Sequence, residues 1–231
     1  MTVSVNLNDL FAGPVEVVVA TPAMNAAPLR ELEAMSVAGA VERRRQEYAA
    51  GRAAARAALL RLGHGAPAIP TAPDRSPIWP AGVVGSITHC EGFCAAVVAD
   101  AAKVEGLGLD AEPNAPLPSD VIDLVSCPGE GARAARALAS LDWTRLLFSA
   151  KEAFYKGFYP LTRQYLDFRD VVVDFASTSG NRGAYVAALR DPNQRWAGLA
   201  DRFIGRWILA GDILICGATL LREDTDAFPK L

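Results

Sequence analysis

Three groups of charged residues have the types and the spacing to do chemistry. The first is Gly108-Leu109-Asp110-Ala111-Glu112, at the end of a predicted β-strand. Because side chains alternate between the two faces of a strand, Asp110 and Glu112 project from the same face. Mg²⁺ is commonly held by one or two such carboxylates together with water and phosphate oxygens. An acidic strand end that leads into the turn-prone Glu112-Pro113-Asn114 is the simpler interpretation.

The second group lies in the run Phe148-Ser149-Ala150-Lys151-Glu152-Ala153-Phe154-Tyr155-Lys156. On a helix, Glu152 and Lys156 are four residues apart and share one face. Such a helix supplies a third carboxylate, Glu152, for a metal ion and two ammonium groups, Lys151 and Lys156, for a polyphosphate. The simpler interpretation is an exposed Glu–Lys pair of the kind common on helix surfaces, which contributes about 0.3–0.5 kcal/mol.

The third group is a set of arginines on the longest predicted helix. Steps of eight and four residues place Arg44, Arg52 and Arg56 on roughly one side of that helix. Guanidinium groups bind phosphate through paired hydrogen bonds, so this row is suited to the phosphates of a nucleotide. A charged row on a helix is more commonly its solvated face, and that alternative stays open.

Polar residues elsewhere would complete a phosphate site. Arg75 lies in a proline-rich loop, and Thr88 and His89 stand at the end of a predicted strand. A single histidine is more often structural than catalytic, and each group alone has an ordinary explanation. Together, three carboxylates and a set of arginines and lysines predict a Mg²⁺-dependent site for a phosphorylated nucleotide.

The elements that must position these residues follow an α+β pattern. Helices are followed by antiparallel strands, and this order occurs twice along the chain. We expect two similar α+β subdomains in a pseudo-twofold arrangement, residues 1–108 and 109–231, with the site at their seam. The predicted strands are Val15–Ala20, Val83–Thr88, Phe93–Ala99, Val104–Asp110, Phe168–Phe175, Ala184–Leu189, Arg202–Leu209 and Ile213–Leu221. The predicted helices are Leu29–Met35, Val41–Leu62, Asp120–Val125, Glu130–Ser140 and Trp143–Phe158, the last stopped by Pro160.

Composition excludes several classes of protein. The chain has 231 residues, 51% of them hydrophobic, and a formal net charge of −3. Nucleic-acid-binding proteins usually carry a basic excess, which this chain lacks. No stretch approaches a membrane span in length and no signal-peptide pattern opens the chain, so we expect a cytoplasmic protein. Four cysteines without a Cys-x-x-Cys pair, and only two histidines, argue against a disulfide framework and a four-ligand zinc site.

These motifs resemble those of the Sfp-type 4′-phosphopantetheinyl transferases. That family combines a Gly-(Ile/Val/Leu)-Asp-x-Glu strand end with a Phe-(Ser/Cys/Thr)-x-Lys-Glu-(Ala/Ser)-x-x-Lys helix about forty residues later, and here Glu152 follows Glu112 by forty residues. The segment Trp79–Cys90 and the spacing from Arg44 to Arg52 are similar to one subgroup, which contains the enterobactin synthase component and actinobacterial carrier-protein activators. The resemblance covers residues 43–165 and, more faintly, the final hairpin.

The resemblance implies that a serine hydroxyl of an apo acyl or peptidyl carrier protein attacks the pyrophosphate of coenzyme A. The products are the phosphopantetheinylated carrier and adenosine 3′,5′-bisphosphate. Glu152 is expected to take the serine proton, either directly or through a metal-bound water, and Lys151 or Lys156 to offset charge on the leaving group. The expected ligands of Mg²⁺ are Asp110, Glu112 and Glu152. The residues expected to bind coenzyme A are Arg44, Arg52, Arg75, Thr88, His89, Lys151 and Lys156.

The partners implied by the resemblance are coenzyme A and the apo carrier protein, with no nucleic acid and no membrane. Two fused subdomains would complete the site within a monomer. An apolar strip of Phe154, Phe158 and Tyr159 is one candidate surface for a helix of the carrier, and packing in the core is the other interpretation. Whether the carrier belongs to fatty-acid, polyketide, nonribosomal peptide or siderophore synthesis stays open.

Two other functions would use the same residues. A Mg²⁺-dependent phosphohydrolase or nuclease is one, but metal nucleases place Glu two residues before Lys, whereas here Lys151 precedes Glu152. The other is a non-catalytic protein that binds coenzyme A or a carrier protein for regulation. Three uncompensated acids are of little use to such a protein.

Overall fold

The computed structural model describes residues 6–138, 141–176 and 180–223. Within them, eight strands form two antiparallel sheets accompanied by helices, which confirms the predicted α+β class. The strands are β1 (Glu16–Val19), β2 (Val83–Cys90), β3 (Phe93–Asp100), β4 (Val104–Pro113), β5 (Val171–Phe175), β6 (Arg182–Leu189), β7 (Ile204–Ala210) and β8 (Ile213–Leu221). The α-helices are α1 (Glu31–Met35), α2 (Glu42–Arg61), α3 (Ser119–Val125), α4 (Glu130–Ala137), α5 (Trp143–Thr162) and α6 (Ala197–Ala200). Short 3₁₀ helices span Leu7–Leu10, Pro22–Ala26 and Phe168–Asp170.

The first sheet, with strand order β1-β3-β2, is covered on one face by α2. Alternation along β3 sends Ala96 and Val98 toward this helix, into a cluster with its alanines. The opposite face of β3 carries Ala95, Val97 and Ala99, which pack against the second sheet. The two sheets therefore share an apolar layer of small side chains.

The second sheet, with strand order β4-β8-β7-β6-β5, lies between that shared layer and α5. Leu107, Leu109 and Ala111 of β4 pack toward the first sheet. Gly108 and Asp110 alternate with them and face α5. The layers are therefore stacked in the order α2, first sheet, second sheet, α5. Because side chains alternate along β4, the predicted metal-binding acids of this strand lie on the side of the sheet that faces α5.

The two sheets also meet edge to edge where β2 runs beside β4. The Ser86 hydroxyl accepts a hydrogen bond from the Leu109 amide, and the Thr88 hydroxyl accepts one from the Ala111 amide, both at 3.0 Å. Since β8 is the only strand paired with β4 in the described sheet, these hydroxyls satisfy amides on its other edge. The seam between the halves is therefore held by specific polar contacts.

Helix α5 is longer than predicted. It continues through Pro160 to Thr162 instead of ending at Phe158. Beyond the proline, Arg163 adopts a left-handed conformation (φ 53°) and donates a hydrogen bond to Asp74 of the proline-rich loop at 2.8 Å. Tertiary contacts of this last turn outweigh the local cost of a proline within a helix.

The remaining differences from the predicted elements are at their ends. Residues Phe168–Asp170 form a 3₁₀ turn ahead of β5, and the end of the predicted helix Glu130–Ser140 lies outside the described residues. The predicted boundary between residues 108 and 109 falls inside β4, which pairs along its length with β8. We propose a division just before Val104 instead. Among the described helices, none combines the length and the hydropathy that a membrane crossing demands.

Glycines allow α5 to approach the backbone of β4. A Cβ atom on Gly108 would overlap the carbonyl oxygen of Ala153, and one on Gly106 would lie 3.0 Å from the carbonyl oxygen of Gly157. Gly157 meets β4 in the same way, since its own Cβ would lie 3.2 Å from the Gly108 nitrogen. The helix and the strand are thus in backbone contact at this crossing.

Replacing Gly108 by Ala tests the crossing. The added methyl group meets a backbone carbonyl that cannot rotate away, so Gly108→Ala is expected to lower the free energy of unfolding by about 1–3 kcal/mol. Gly198→Ala is the matched control, because a Cβ there meets nothing within 4 Å. Equal thermal unfolding temperatures for the two variants would show that the crossing is not tight.

Candidate active site

Asp110 and Lys156 form an ion pair at the crossing of β4 and α5. The Lys156 ammonium donates to Asp110 Oδ1 at 2.6 Å and to the Leu109 carbonyl at 3.3 Å. Asp110 is only 4% exposed. Burial by itself lowers the pKa of Lys156, but Asp110 and the nearby carboxylates outweigh burial, so this pKa is raised. Lys156 therefore keeps its positive charge, which lies close to the acids of the site.

Glu112 is paired with an arginine that the sequence analysis did not single out. Arg145 donates to Glu112 Oε2 at 3.0 Å, and to the carbonyls of Ala115 at 2.9 Å and Pro116 at 3.3 Å. Burial and the other acid of β4 raise the pKa of Glu112, against the pull of Arg145. The sequence contains a signal for Arg145. It precedes Glu152 by seven residues, about two helical turns, so the two residues share one face of a helix.

Glu152 completes the acidic cluster from the side of α5. Burial raises the pKa of Glu152, Lys156 acts in the opposite direction, and Asp110 and Glu112 raise it further. A carboxylate of raised pKa is a better proton acceptor near neutral pH. The structure thus brings together the three predicted acids and one of the two predicted lysines.

The donor set fits a hard divalent cation. Asp110 Oδ2 is buried and has no hydrogen-bond partner in the described part of the chain. A buried oxygen of this kind is costly unless it is satisfied, and carboxylate oxygens are ligands that Mg²⁺ prefers. As the side chains stand, residues 6–138, 141–176 and 180–223 gather no three acids, histidines or cysteines closely enough to hold a metal. Lys156 and Arg145 pair with two of the acids instead, so the carboxylates must turn to receive an ion.

Lys151 does not join this cluster. Its ammonium donates to the carbonyls of Val125 and Phe168 and to Glu130, at 2.8, 2.9 and 2.9 Å. It is 2% exposed, and three hydrogen bonds use the full donor capacity of an ammonium. Neighbouring positions on a helix point about 100° apart, so Lys151 and Glu152 face different surroundings. The structure does not support the prediction that Lys151 meets a phosphate.

Arg44 and His89 form a polar pair on the α2 side of β2. The guanidinium nitrogen Nη1 of Arg44 lies 2.7 Å from Nε2 of His89. Burial and then Arg44 lower the pKa of His89, so a neutral imidazole accepts the hydrogen bond from the guanidinium. Lys156 and Asp110 also influence this pKa, which indicates that the pair lies near the acidic cluster. Both side chains remain exposed enough to meet a ligand.

Arg52 is anchored inside the protein. It donates to the Ile69 carbonyl at 2.8 Å and to the Thr71 hydroxyl at 2.9 Å, and its guanidinium lies over the Tyr48 ring, 4.2 Å from the centroid. Burial is the main influence on its pKa, which is lowered. These contacts hold the proline-rich loop against α2, so Arg52 supports the site from beneath it.

Two more residues that the sequence makes candidates for ligand binding, Arg56 and Thr88, have structural roles instead. Arg56 is paired with the buried Glu33, and Thr88 uses its hydroxyl at the seam with β4. Of the three arginines predicted to line one side of α2, only Arg44 keeps its side chain available. The row is therefore neither a plain solvated face nor a complete phosphate site.

A first groove, of about 910 Å³, opens beside the acidic cluster. Its walls are the proline-rich loop, β2, β4 and the second half of α5, and Arg75, Glu152 and Lys156 line it. Arg75 has a φ of 69°, a left-handed conformation that is uncommon for a residue other than glycine. Such strain is frequent at ligand sites, and here it places Arg75 at the groove.

A second groove, of about 370 Å³, adjoins Glu152. Its walls are α3, the segment 165–168 and the first half of α5. Glu152, Tyr155 and Tyr165 line both grooves. Glu152 therefore lies where a ligand in either groove could reach it.

The predicted apolar strip needs correction. Phe154 and Phe158 are fully buried in the core beneath α5, so neither can receive a partner. Tyr159 lies in the first groove instead. At the second groove the exposed apolar side chains are Leu124 and Tyr165, and Tyr165 lines the first groove as well.

Two protein-family models match the chain over most of its length. The 4′-phosphopantetheinyl transferase N-terminal domain matches residues 32–99, and the 4′-phosphopantetheinyl transferase superfamily matches residues 106–207. The chain belongs to the 4′-phosphopantetheinyl transferase superfamily. This membership confirms the predicted family and the prediction that the chain is a transferase enzyme.

Curated relatives agree with the family assignment. The chain is 46% identical over 192 residues to 4′-phosphopantetheinyl transferase Svp of Streptomyces mobaraensis, covering 80% of this chain and 76% of Svp. It is 39% identical over 201 residues to 4′-phosphopantetheinyl transferase PptT of Mycobacterium tuberculosis, covering 84% and 86% of the two chains. A shorter match, 38% identical over 119 residues, links half of this chain to 55% of enterobactin synthase component D of Escherichia coli O157:H7.

The different surroundings of Arg44 and Arg52 give a testable contrast within this transferase. Arg52→Ala leaves the Ile69 carbonyl without its donor, so we expect a loss of about 1–3 kcal/mol in the free energy of unfolding. Arg44→Ala removes an exposed side chain and is expected to change stability by less than about 0.5 kcal/mol. Denaturant unfolding measures both. Equal destabilisation by the two substitutions would contradict the buried role of Arg52.

Proposed function

We propose that this chain transfers the 4′-phosphopantetheine arm of coenzyme A to a serine of an apo carrier protein in a Mg²⁺-dependent reaction. The leaving product is adenosine 3′,5′-bisphosphate. The observation that carries the proposal is the Asp110–Lys156 ion pair, with Glu112 and Glu152 near enough to act on its charges, beside a groove that Glu152 and Lys156 line. Coenzyme A and a carrier domain are two substrates, and Glu152 lines both grooves.

Two cations that suit the phosphates of coenzyme A, Arg75 and Lys156, line the first groove. Arg75 would meet the nucleotide part, and Arg44 and His89, which lie outside the groove lining, would bind the 3′-phosphate. Lys156 would meet the pyrophosphate, where charge develops as the bisphosphate leaves. Arg52 would act indirectly, because it holds the loop that carries Arg75. The largest contribution of such a site is positioning and charge neutralisation.

Asp110, Glu112 and Glu152 are the residues that would hold Mg²⁺. Bound there, the ion would supply positive charge to the pyrophosphate oxygens. The orphaned Oδ2 of Asp110 supports this assignment, since a cation would satisfy it. Lys156 and Arg145 balance the acids while no ion is bound.

Glu152 is also the proposed proton acceptor. The serine oxygen forms a bond to the phosphorus that bears the pantetheine arm, the bond from that phosphorus to the adenosine bisphosphate breaks, and the serine proton passes to the Glu152 carboxylate. Burial raises the pKa of Glu152, which favours this role. No nucleophile from the enzyme is needed.

The carrier would approach through the second groove. This groove shares Glu152 with the first groove, and Leu124 and Tyr165 give it exposed apolar contacts. A short apolar helix of a carrier fits such a surface.

We further propose that the reaction takes place in the cytoplasm, because all four cysteines are free thiols, as expected in a reducing compartment.

Release of adenosine 3′,5′-bisphosphate in the presence of an apo carrier tests the role of Glu152. Glu152→Gln keeps the shape and removes the charge, so the rate of release is expected to fall by at least about 10²-fold. Glu31→Gln, an exposed acid on α1, is the control for the charge change and is expected to keep full rate. A Glu152→Gln enzyme of normal rate would remove Glu152 from the mechanism.

Metal removal tests the acidic cluster. Treatment with a chelator is expected to abolish the release of the bisphosphate, and added Mg²⁺ to restore it, because Lys156 and Arg145 alone cannot neutralise three acids together with a pyrophosphate. Undiminished turnover in metal-free buffer would contradict the proposed metal site. Release of the bisphosphate without any carrier would indicate a phosphohydrolase instead.

A further inference from the structure

Glu130 and Lys151 form a buried ion pair that the proposed chemistry does not use. Their side chains are 0% and 2% exposed, and the Oε2–Nζ distance is 2.9 Å. Glu130 also accepts hydrogen bonds from the backbone amides of Cys127 at 2.7 Å and Val173 at 2.6 Å. With the two carbonyl contacts of the Lys151 ammonium, four backbone groups meet at this pair.

These contacts connect the walls of the second groove to α5. The Val125 carbonyl ends α3, and the Phe168 carbonyl belongs to the segment after α5. Both segments form walls of the second groove, and Lys151 lies at its floor. Lys151 immediately precedes Glu152, so the pair ties the groove walls to the helix position next to the proposed proton acceptor.

Stability alone is a weak reason for such a pair. The cost of removing two charges from water offsets much of their attraction, and apolar replacements of similar volume are often equally stable. A network in which the polar groups are satisfied instead specifies one geometry. The geometry specified here is the position of α3 and of residues 165–168 relative to Glu152.

We propose that Glu130 and Lys151 are positioning residues for the carrier substrate. They hold the walls of the second groove in a fixed position relative to Glu152. The inference rests on the proposed function. It assigns Lys151 to the acceptor side of the reaction and not to the phosphates of coenzyme A. None of the pair's hydrogen-bond partners lines the first groove, whose walls are the proline-rich loop, β2, β4 and the second half of α5, with Tyr165 shared between the two grooves.

The N-terminal half provides a matched control. Glu33 is likewise buried, pairs with Arg56 of the long helix α2, and accepts the backbone amide of Ile69 at 3.0 Å. Loss of this pair removes a similar buried interaction without touching the second groove. Glu33→Gln therefore separates a general loss of stability from a specific loss of carrier positioning.

The test compares the wild-type enzyme with Glu130→Gln, Lys151→Met and the double variant Glu130→Met/Lys151→Met. The double variant leaves no unpaired buried charge, so it is the form expected to fold if a single variant does not. Each is measured for its KM and kcat with an apo carrier protein, and for its Kd for coenzyme A by calorimetry. Thermal unfolding confirms that each variant is folded.

The expected result is a rise of roughly ten- to a hundredfold in the carrier KM, or an equal fall in kcat/KM, with the coenzyme A Kd within about twofold of wild type. Glu33→Gln is expected to keep the wild-type carrier KM. Unchanged carrier kinetics in a folded variant, or a parallel loss of coenzyme A affinity, would overturn the proposal. A wild-type enzyme that modifies no carrier would instead refute the proposed function itself.

Discussion

The backbone contact between α5 and β4 is the constraint on which the site depends. Gly106, Gly108 and Gly157 leave no side chain between helix and strand, so the functional groups of both elements come within reach of each other. Lys156 reaches Asp110 at 2.6 Å because of this approach. A wider crossing would separate the acids of the strand from the acid and the ammonium of the helix.

Charge balance is the second constraint. Three carboxylates in a partly buried place repel one another, and burial raises the pKa of both Glu112 and Glu152. Lys156 and Arg145 compensate two of the acids with direct ion pairs. In the proposed reaction, the carboxylates would hold the metal ion and the same cations would be available to the pyrophosphate.

The successful predictions from the sequence rest mainly on residue spacing within single strands and helices. The two-residue period of β4 predicted that Asp110 and Glu112 share a face, and the four-residue spacing on α5 predicted the same of Glu152 and Lys156. These two inferences need only the geometry of a single element. The meeting of the two pairs followed from the combination of residue types and from the family motif, to which all four residues belong. The α+β class followed from the order of helices and strands.

The predictions that failed depended on which side of a helix is buried. Helix α2 is rich in alanine on every side, so its sequence could not show that Arg52 and Arg56 face inward while Arg44 stays exposed. Lys151 was grouped with Glu152 because the two are adjacent, yet only the tertiary structure shows its pairing with Glu130. Phe154 and Phe158 belong to the core for the same reason.

Intact-mass spectrometry of an apo carrier protein, incubated with this enzyme, coenzyme A and Mg²⁺, measures the proposed transfer directly. The carrier is expected to gain the mass of one phosphopantetheine group on a serine. An unchanged mass across a panel of apo carriers, with coenzyme A still binding by calorimetry, would contradict the transfer and favour a regulatory binding protein.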